Sequence, residues 1–524
     1  MDIILRDSKS LAPTCKAGEI WLHSPYDPEK EALRFVLSSL GQARPSQVLL
    51  LGPCLDYITP ALRSIVPGAK VVSIQYSAFF VGKGKQEPDA SWHPGDSASL
   101  DSFLDSTMDE DAISGVSVLE WEPAARAFPE EALEAQRAVR SSLDRLNSSV
   151  STVKVFGKRW ISNACASFLL VEKAACLRPT SLPIILAAAG PSLNDALASL
   201  SRYRGRFMTI AVSSAWAACL NCGIEPDIVV TTDGGFWSRH HLYPLASSKP
   251  ILAAPLTALP SATLYRAADL LILNQGSFVE SELLPAMGPS FPLPPHGTVS
   301  GTALQLAARL TEGPIIATGL DLASYGDFAH ARPHGFDALL AAGTSRLAPL
   351  EATLWSRALE ASPEPLPEKP WRSSRALHAY SAALDLDSRR LFGRLYRLSP
   401  SPQVLSGFTP LDREGLDSLM AKSTNAYEPQ VELLALPPRH RREAFLAAAL
   451  ASWRSRACEA AKEMGRGLLP SSALIAELLR SIDIVDYAAA RRAILARGDP
   501  LPAARDLAER CDSYLDRLGR RFAP

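Results

Sequence analysis

Between positions 183 and 318 the chain carries six short apolar runs, at 183–189, 207–212, 228–232, 250–254, 270–273 and 314–318, each ending in small or polar residues. Runs of this length without polar alternation describe strands buried on both faces, the pattern of a parallel sheet. Helical patterns at 194–200, 216–222 and 302–310 alternate with them, and a helix over 160–175 precedes them. The alternation predicts a doubly wound α/β domain, whose ligand lies outside the carboxyl ends of the strands.

At 524 residues the chain is too long for one ordinary core. A helix over 33–40, a buried strand at 47–52, a helix from about Ile58 and strands at 71–75 and 116–121 predict a Rossmann-like domain ahead of the central one. A nucleotide site there would want a glycine-rich turn after the first strand and an acid ending the second. The sequence offers GPCLDY and Gln75-Tyr76, so Asp56 is the one substitute and a structural or docking role is expected. Segment 362–370, SPEPLPEKP, reads as a surface connector that forms neither helix nor strand. Beyond Asp412 the Leu-, Ala- and Arg-rich sequence has helical periodicity and no strand signal. The expected organisation is thus 1–155, a Rossmann-like domain; 156–411, the central domain; and 412–524, a helical domain.

Lys and Arg number 54 against 55 Asp and Glu, so no global charge attracts nucleic acid or an anionic membrane. No apolar run reaches membrane-spanning length, and MDIILRDSKS lacks a secretory h-region, so a cytoplasmic protein is expected. The eight cysteines are scattered except for Cys219 and Cys222 in CLNC. Without a second pair or nearby histidines these read as buried packing in a reducing compartment, not as a metal site.

Candidate chemistry collects at the ends of the central strands. In LAAAGPSLND, Gly190-Pro191-Ser192 stands where strand becomes helix, with the amides of Ser192, Leu193 and Asn194 pointing above the sheet. Such a turn is either a phosphate seat or an ordinary helix cap. Further strand ends offer Ser213-Ser214, Asp233 in TTDGG and Asp321 in GLDL, while HGTVSGT opens a helix with Thr298, Ser300 and Gly301. Two anion-compatible helix starts suggest a nucleotide. Asp233 and Asp321 suit ribose hydroxyls, a base amine, a metal or an acceptor, or else cap helices. Of nine histidines, His330 and His334 fall in YGDFAHARPH, just past the last run. His330 is the better-placed candidate for proton transfer.

LAAAGPSLND, AVSSA…GIEPDIVVTTD, GTVSGTALQLAARL and GPIIATGLDLASYGDFAHA, followed by RLYRLSPSPQVLSGF, resemble the motifs of the motility accessory factor (Maf) flagellin glycosyltransferases. The resemblance runs in order from about 156 to 408, and the flanks match the family's layout. It implies a central Rossmann-like domain similar to bacterial sialyltransferases, a GT-A variant without a metal-binding DxD. It also implies a cytoplasmic enzyme that transfers a nonulosonic acid, such as pseudaminic or legionaminic acid, from its CMP-activated form to Ser or Thr of flagellin. By that likeness Gly190, Pro191 and Ser192 approach the CMP phosphate and Ser213 or Ser214 and Asp233 line the donor site. Thr298, Ser300 and Gly301 would cradle the nucleotide, with Asp321 beside it. Ser213-Ser214 and TTDGG depart from the family's usual Asn-Ser and Asp-Pro pairs.

An acceptor hydroxyl is protonated near neutrality, so its attack on the sugar needs a base; His330 is the expected one and Asp233 its companion. Departure of CMP needs no acid, and the expected outcome is inversion without a metal or other cofactor. A rival reading is an archaeal-type pterin diphosphokinase using ATP and Mg2+, with Asp233 or Asp321 as ligand. A third is a flagellin-binding factor without activity. The basic clusters Arg439-His440-Arg441-Arg442 and Arg517 with Arg520-Arg521 read as solvated faces, or else as acceptor contacts.

Overall fold

The computed structural model describes the chain except residues 1, 109–114, 259–264, 266–267, 390, 392, 423–430, 497 and 524. Its contacts divide the chain into two compact units, Met1–Gly157 with Ala451–Arg517, and Lys158–Leu450 with Leu518–Pro524.

The first unit begins with an antiparallel sheet of β1 (Ile3–Asp7), β2 (Pro13–Ala17) and β3 (Ile20–Trp21). Its core is a parallel sheet of β4 (Gln47–Leu51), β5 (Lys70–Ile74), β6 (Ala90–Trp92) and β7 (Val116–Glu120), in the order β6-β5-β4-β7. Every residue of β4 is buried, as its unbroken VLLL run requires. The turn after β4 is closed to a nucleotide. The Tyr76 ring packs where a side chain at Gly52 would stand, and its hydroxyl donates to Glu120 Oε1 at 2.8 Å. Asp56 turns inward, accepting from Thr59 N at 2.9 Å and from Thr59 Oγ1 at 2.7 Å, and burial pushes its carboxyl up to about 6. His23 beneath this turn accepts from Leu55 N at 3.1 Å and stacks on Trp121; burial lowers its pKa to about 3.

The last helices, Ala473–Leu495 and Leu501–Arg521, do not stand as a separate body, because Ala451–Arg517 groups with the first unit. Two glycines permit this packing. A Cβ on Gly68 would sit 2.2 Å from the Leu495 carbonyl oxygen, and one on Gly157 2.2 Å from that of Ser481.

The second unit holds an eleven-stranded sheet. In chain order its strands are β8 (Lys173–Leu177), β9 (Ile184–Ala187), β10 (Met208–Val212), β11 (Ile228–Val230), β12 (Ile251–Pro255), β13 (Asp269–Asn274), β14 (Phe291–Pro292) and β15 (Ile315–Thr318). A small separate sheet follows, made of β16 (Ser324–Tyr325), β17 (Glu364–Pro365) and β18 (Trp371–Ser373). The main sheet resumes with β19 (Leu395–Leu398), β20 (Thr409–Pro410) and β21 (Val431–Ala435). Its order is β20-β19-β15-β9-β10-β11-β12-β13-β8-β21, with β14 on β13. Among its described strands, only β21 is antiparallel, against β8. All six predicted central runs are strands here.

Four expectations fail. The helix expected over 160–175 is the end of Pro129–Leu170, and Ala174 and Ala175 lie in β8; a short alanine-rich stretch fits either period. Segment 362–370 supplies β17, an exposed strand whose prolines an edge position tolerates. The tail expected to be all helix contributes β21 to the central sheet. In the first basic cluster, Arg442 is buried and its guanidinium donates to the carbonyls of Pro437 and Phe168, so it is a structural group. Cys219 is buried in the core, where desolvation pushes its thiol up to about 12. No described helix is long and apolar enough to cross a membrane.

Candidate active site

The sheet changes direction at β9. From β9 the chain moves through β10, β11, β12 and β13 to one side, and β15 returns to pair on the other side of β9 in parallel register, Thr318 opposite Ala187. The carboxyl ends of β9 and β15 therefore flank the switch point where α/β sheets hold ligands. Helix Val299–Leu310 packs across β9, β10 and β11 with Ala303, Leu304, Leu306, Ala307 and Leu310 buried.

At the switch point, the turn after β9 is fastened to the turn after β15. Asp321 is 1% exposed. Its Oδ2 accepts from Ser192 N at 2.8 Å, its Oδ1 accepts from Ser192 Oγ at 2.6 Å, and Ser399 Oγ also donates to Oδ1. Gly190 has no room for a side chain, because a Cβ would meet Asp321 Oδ2 and Gly319 O, each at 2.4 Å. The freedom of Gly190 thus serves this carboxylate. The amide and hydroxyl of Ser192 are occupied within the protein, so of the two readings of the turn the geometry favours a cap, with Asp321 as the capping group. Arg397, at the end of β19, completes the cluster. Its guanidinium donates to the carbonyls of Leu320 and Gln403, and burial lowers its pKa against the opposing pull of Asp321. Sequence reasoning missed Arg397, whose signal was an arginine inside the apolar run LYRL.

The other strand ends are more open. Among the described residues, neither Ser213 nor Ser214, at the end of β10, has a hydrogen-bond partner for its hydroxyl. Asp233 is exposed beyond β11 and uses Oδ1 to accept from Gly235 N at 2.6 Å. Thr298 caps its helix, accepting from Gly301 N at 3.0 Å. Gly301 is required there by the His296 ring, whose Nδ1 would lie 1.7 Å from a Cβ. Ser300 is half-buried in the same first turn.

His330 lies in the loop beyond β16, and that loop is held to the β9 turn. Ala331 N donates to Ala189 O at 2.9 Å, while Asn194 donates to Arg332 O at 2.5 Å and accepts from Arg332 N at 3.2 Å. The His330 ring is exposed by surface area, yet enough protein crowds it to lower its pKa. It stacks on His334, which meets His241 edge-on. His240 and His241 come from the segment after Asp233, in WSRHHLYP, and sequence reasoning passed over them. Burial lowers His241 to about 4, helped by His330 and opposed by Asp233. The structure therefore brings the Asp233 segment and the His330 loop together in one histidine cluster, and gathers Gly190, Ser192 and Asp321 in a separate buried cluster. Among the described residues, no group of three or more His, Cys, Asp or Glu is arranged to hold a metal ion.

This is the fold and strand-end layout of a doubly wound α/β domain. Residues 164–327 match the profile of the family described as 6-hydroxymethylpterin diphosphokinase MptE-like. Over its whole length the chain has the mixed α/β fold of the MAf glycosyltransferase from Magnetospirillum magneticum AMB-1, with a TM-score of 0.56 and 12% identity over 100% of this chain and 91% of that one. The Maf resemblance of the motifs thus extends to the fold, including the helical C-terminal region. An uncharacterized protein of Treponema pallidum (strain Nichols) is 32% identical over 237 residues, 45% of this chain and 52% of the relative, so the chain spans about half the length of that relative.

Proposed function

We propose that the protein is a glycosyltransferase that moves a nonulosonic acid from a CMP-activated donor to a Ser or Thr hydroxyl of flagellin. The observation that carries this reading is the loop of His330, pinned to the turn after β9 at the switch point through Ala331 N on Ala189 O, together with the hydroxyls of Ser213 and Ser214 at the end of β10, which have no partner among the described residues. A histidine kept neutral at a ligand crevice is the group a protonated acceptor hydroxyl requires. His330 takes the acceptor proton as the acceptor oxygen bonds to C2 of the sugar. The C2–O bond to CMP breaks, its electron pair leaves with the phosphate, and the configuration inverts.

In this reading Ser213, Ser214 and the first turn at Thr298, Ser300 and Gly301 bind the nucleotide and donor. Asp233 acts beside His241 at the acceptor side. Gly190, Pro191, Ser192 and Asp321 shape the crevice floor. The reaction needs no cofactor, the partners are the CMP-sugar and flagellin, neither nucleic acid nor a membrane takes part, and the cytoplasm is where it runs.

The diphosphokinase description of residues 164–327 supplies the alternative. It would need carboxylates for Mg2+, and Asp321 is engaged with Ser192 and Ser399 while Asp233 accepts from Gly235 N and belongs to no group of three or more potential metal ligands among the described residues. Incubation with a CMP-nonulosonic acid and flagellin, followed by intact mass, should add one sugar mass per site and should survive a chelator. Thermal protection by ATP with Mg2+ but not by CMP, with flagellin mass unchanged, would overturn the proposal in favour of the kinase.

A further inference from the structure

The proposed reaction needs one imidazole, and the structure supplies three in contact, His330, His334 and His241, with His240 next in the chain. His334 stands among the other rings. It stacks on His330 with centroids 4.6 Å apart and 21° between planes, and it meets His241 at 4.8 Å and Phe336 at 5.5 Å. Its backbone N donates to Asp337 Oδ2 at 2.8 Å, and the same oxygen accepts from Arg332 Nε at 3.1 Å. A ring packed against three others and anchored at its main chain has few ways to turn. Its nitrogens are not placed for relay: Nδ1 accepts from Phe336 N at 3.4 Å, and Nε2 is buried with no hydrogen-bond partner.

We propose that His334 is a positioning residue, which orients His330 and keeps it neutral by covering one face of its ring and not by exchanging protons. The proposal rests on His330 being the base. The titratable and charged groups around the stack are His240, His241 and Asp233 from the segment after β11, and Arg332 and Asp337 from the loop itself. Asp337 is engaged by Arg332, and Asp233 acts on His241. Burial holds His334 at about 3 and His241 at about 4, so both are neutral near neutral pH. What His334 contributes is then bulk. Its flat ring takes water from one face of His330, whose other surface stays exposed, and that partial desolvation disfavours the imidazolium.

The test compares His334→Ala, which removes the bulk, with His334→Phe, which keeps the bulk and removes the nitrogens. The pH dependence of His330 carbethoxylation by diethylpyrocarbonate, read by peptide mass spectrometry on the full chain, needs no turnover. In His334→Ala its midpoint should rise toward the ordinary value of 6.5, and kcat for transfer should fall about tenfold with KM for the donor nearly unchanged. His334→Phe should keep the wild-type midpoint and most of kcat. If the alanine variant does not fold, His334→Gln, without the flat ring, takes its place. A midpoint that stays put in His334→Ala, or one that moves as far in His334→Phe, overturns the proposal. A chain that transfers no sugar refutes the proposed function, while the modification midpoint still decides on His334.

Discussion

Replacing Asp321 with alanine tests whether the strand-end carboxylate is a fastener or a ligand. The side chain is fully buried and accepts three hydrogen bonds, from Ser192 N, Ser192 Oγ and Ser399 Oγ, with the Arg397 guanidinium as the opposing charge. A hydrogen bond to a charged group contributes about 1.5–3 kcal/mol, but the three share one desolvation cost and do not add. Breaking a buried charged cluster from one side costs about 3–5 kcal/mol, and this is the loss expected for Asp321→Ala. Ser192→Ala, which loses only a hydroxyl, should cost about 1 kcal/mol, and the double variant should cost less than the sum. Because the chain has two units, global unfolding is a poor gauge. Hydrogen exchange of peptides covering 188–195 is the direct one. The Ser192 amide should exchange roughly a hundredfold faster or more in Asp321→Ala. If exchange stays at the wild-type rate while CMP affinity collapses, Asp321 is a ligand and the fastener account is refuted.

His330→Ala should lower transfer about a hundredfold or more while CMP affinity by calorimetry stays nearly intact; full activity would show that the proton goes elsewhere. Because the pKa of His330 is lowered, wild-type turnover should persist below the usual histidine range and fall only as pH drops through that lowered value. For His23 the folded pKa of about 3 lies below the 6.5 of an open histidine, so the unfolded chain takes up the proton first. Its contribution to stability is complete above 6.5 and is lost as pH falls from there toward 3, by about 1.4 kcal/mol per unit; His23→Phe should flatten the acid limb of hydrogen exchange in the first unit. Gly157→Ala should destabilise the packing of helix Ala473–Leu495 by about 1–3 kcal/mol, visible as faster exchange there, because its Cβ has no space beside Ser481 O.

The central strands were legible because strands buried on both faces leave unbroken apolar runs, and β9 to β13 and β15 are all of that kind. The strands that escaped are marginal in sequence. Both faces of β21 are largely exposed, and β19 interrupts its apolar run with Arg397. At the site, small and hydroxyl residues marked the strand ends, but the role of Asp321 was not readable, since its partner Ser192 lies 129 residues away. His240 and His241 were readable by the reasoning that found His330, as a pair just beyond a strand end. The meeting of His241 with His334 was not, because it depends on how two loops fold over the sheet edge.

The fit of Gly190 beneath Asp321 has an evolutionary consequence. Any side chain at 190 would collide with the carboxylate and with Gly319 O, so Gly190 cannot change while Asp321 keeps its pose. Nor can Asp321 shorten or vanish without stranding Ser192 and Ser399. Substitutions at these positions should therefore be tolerated in combination and rejected singly, and in related chains positions 190, 192, 321 and 399 should vary as a linked set.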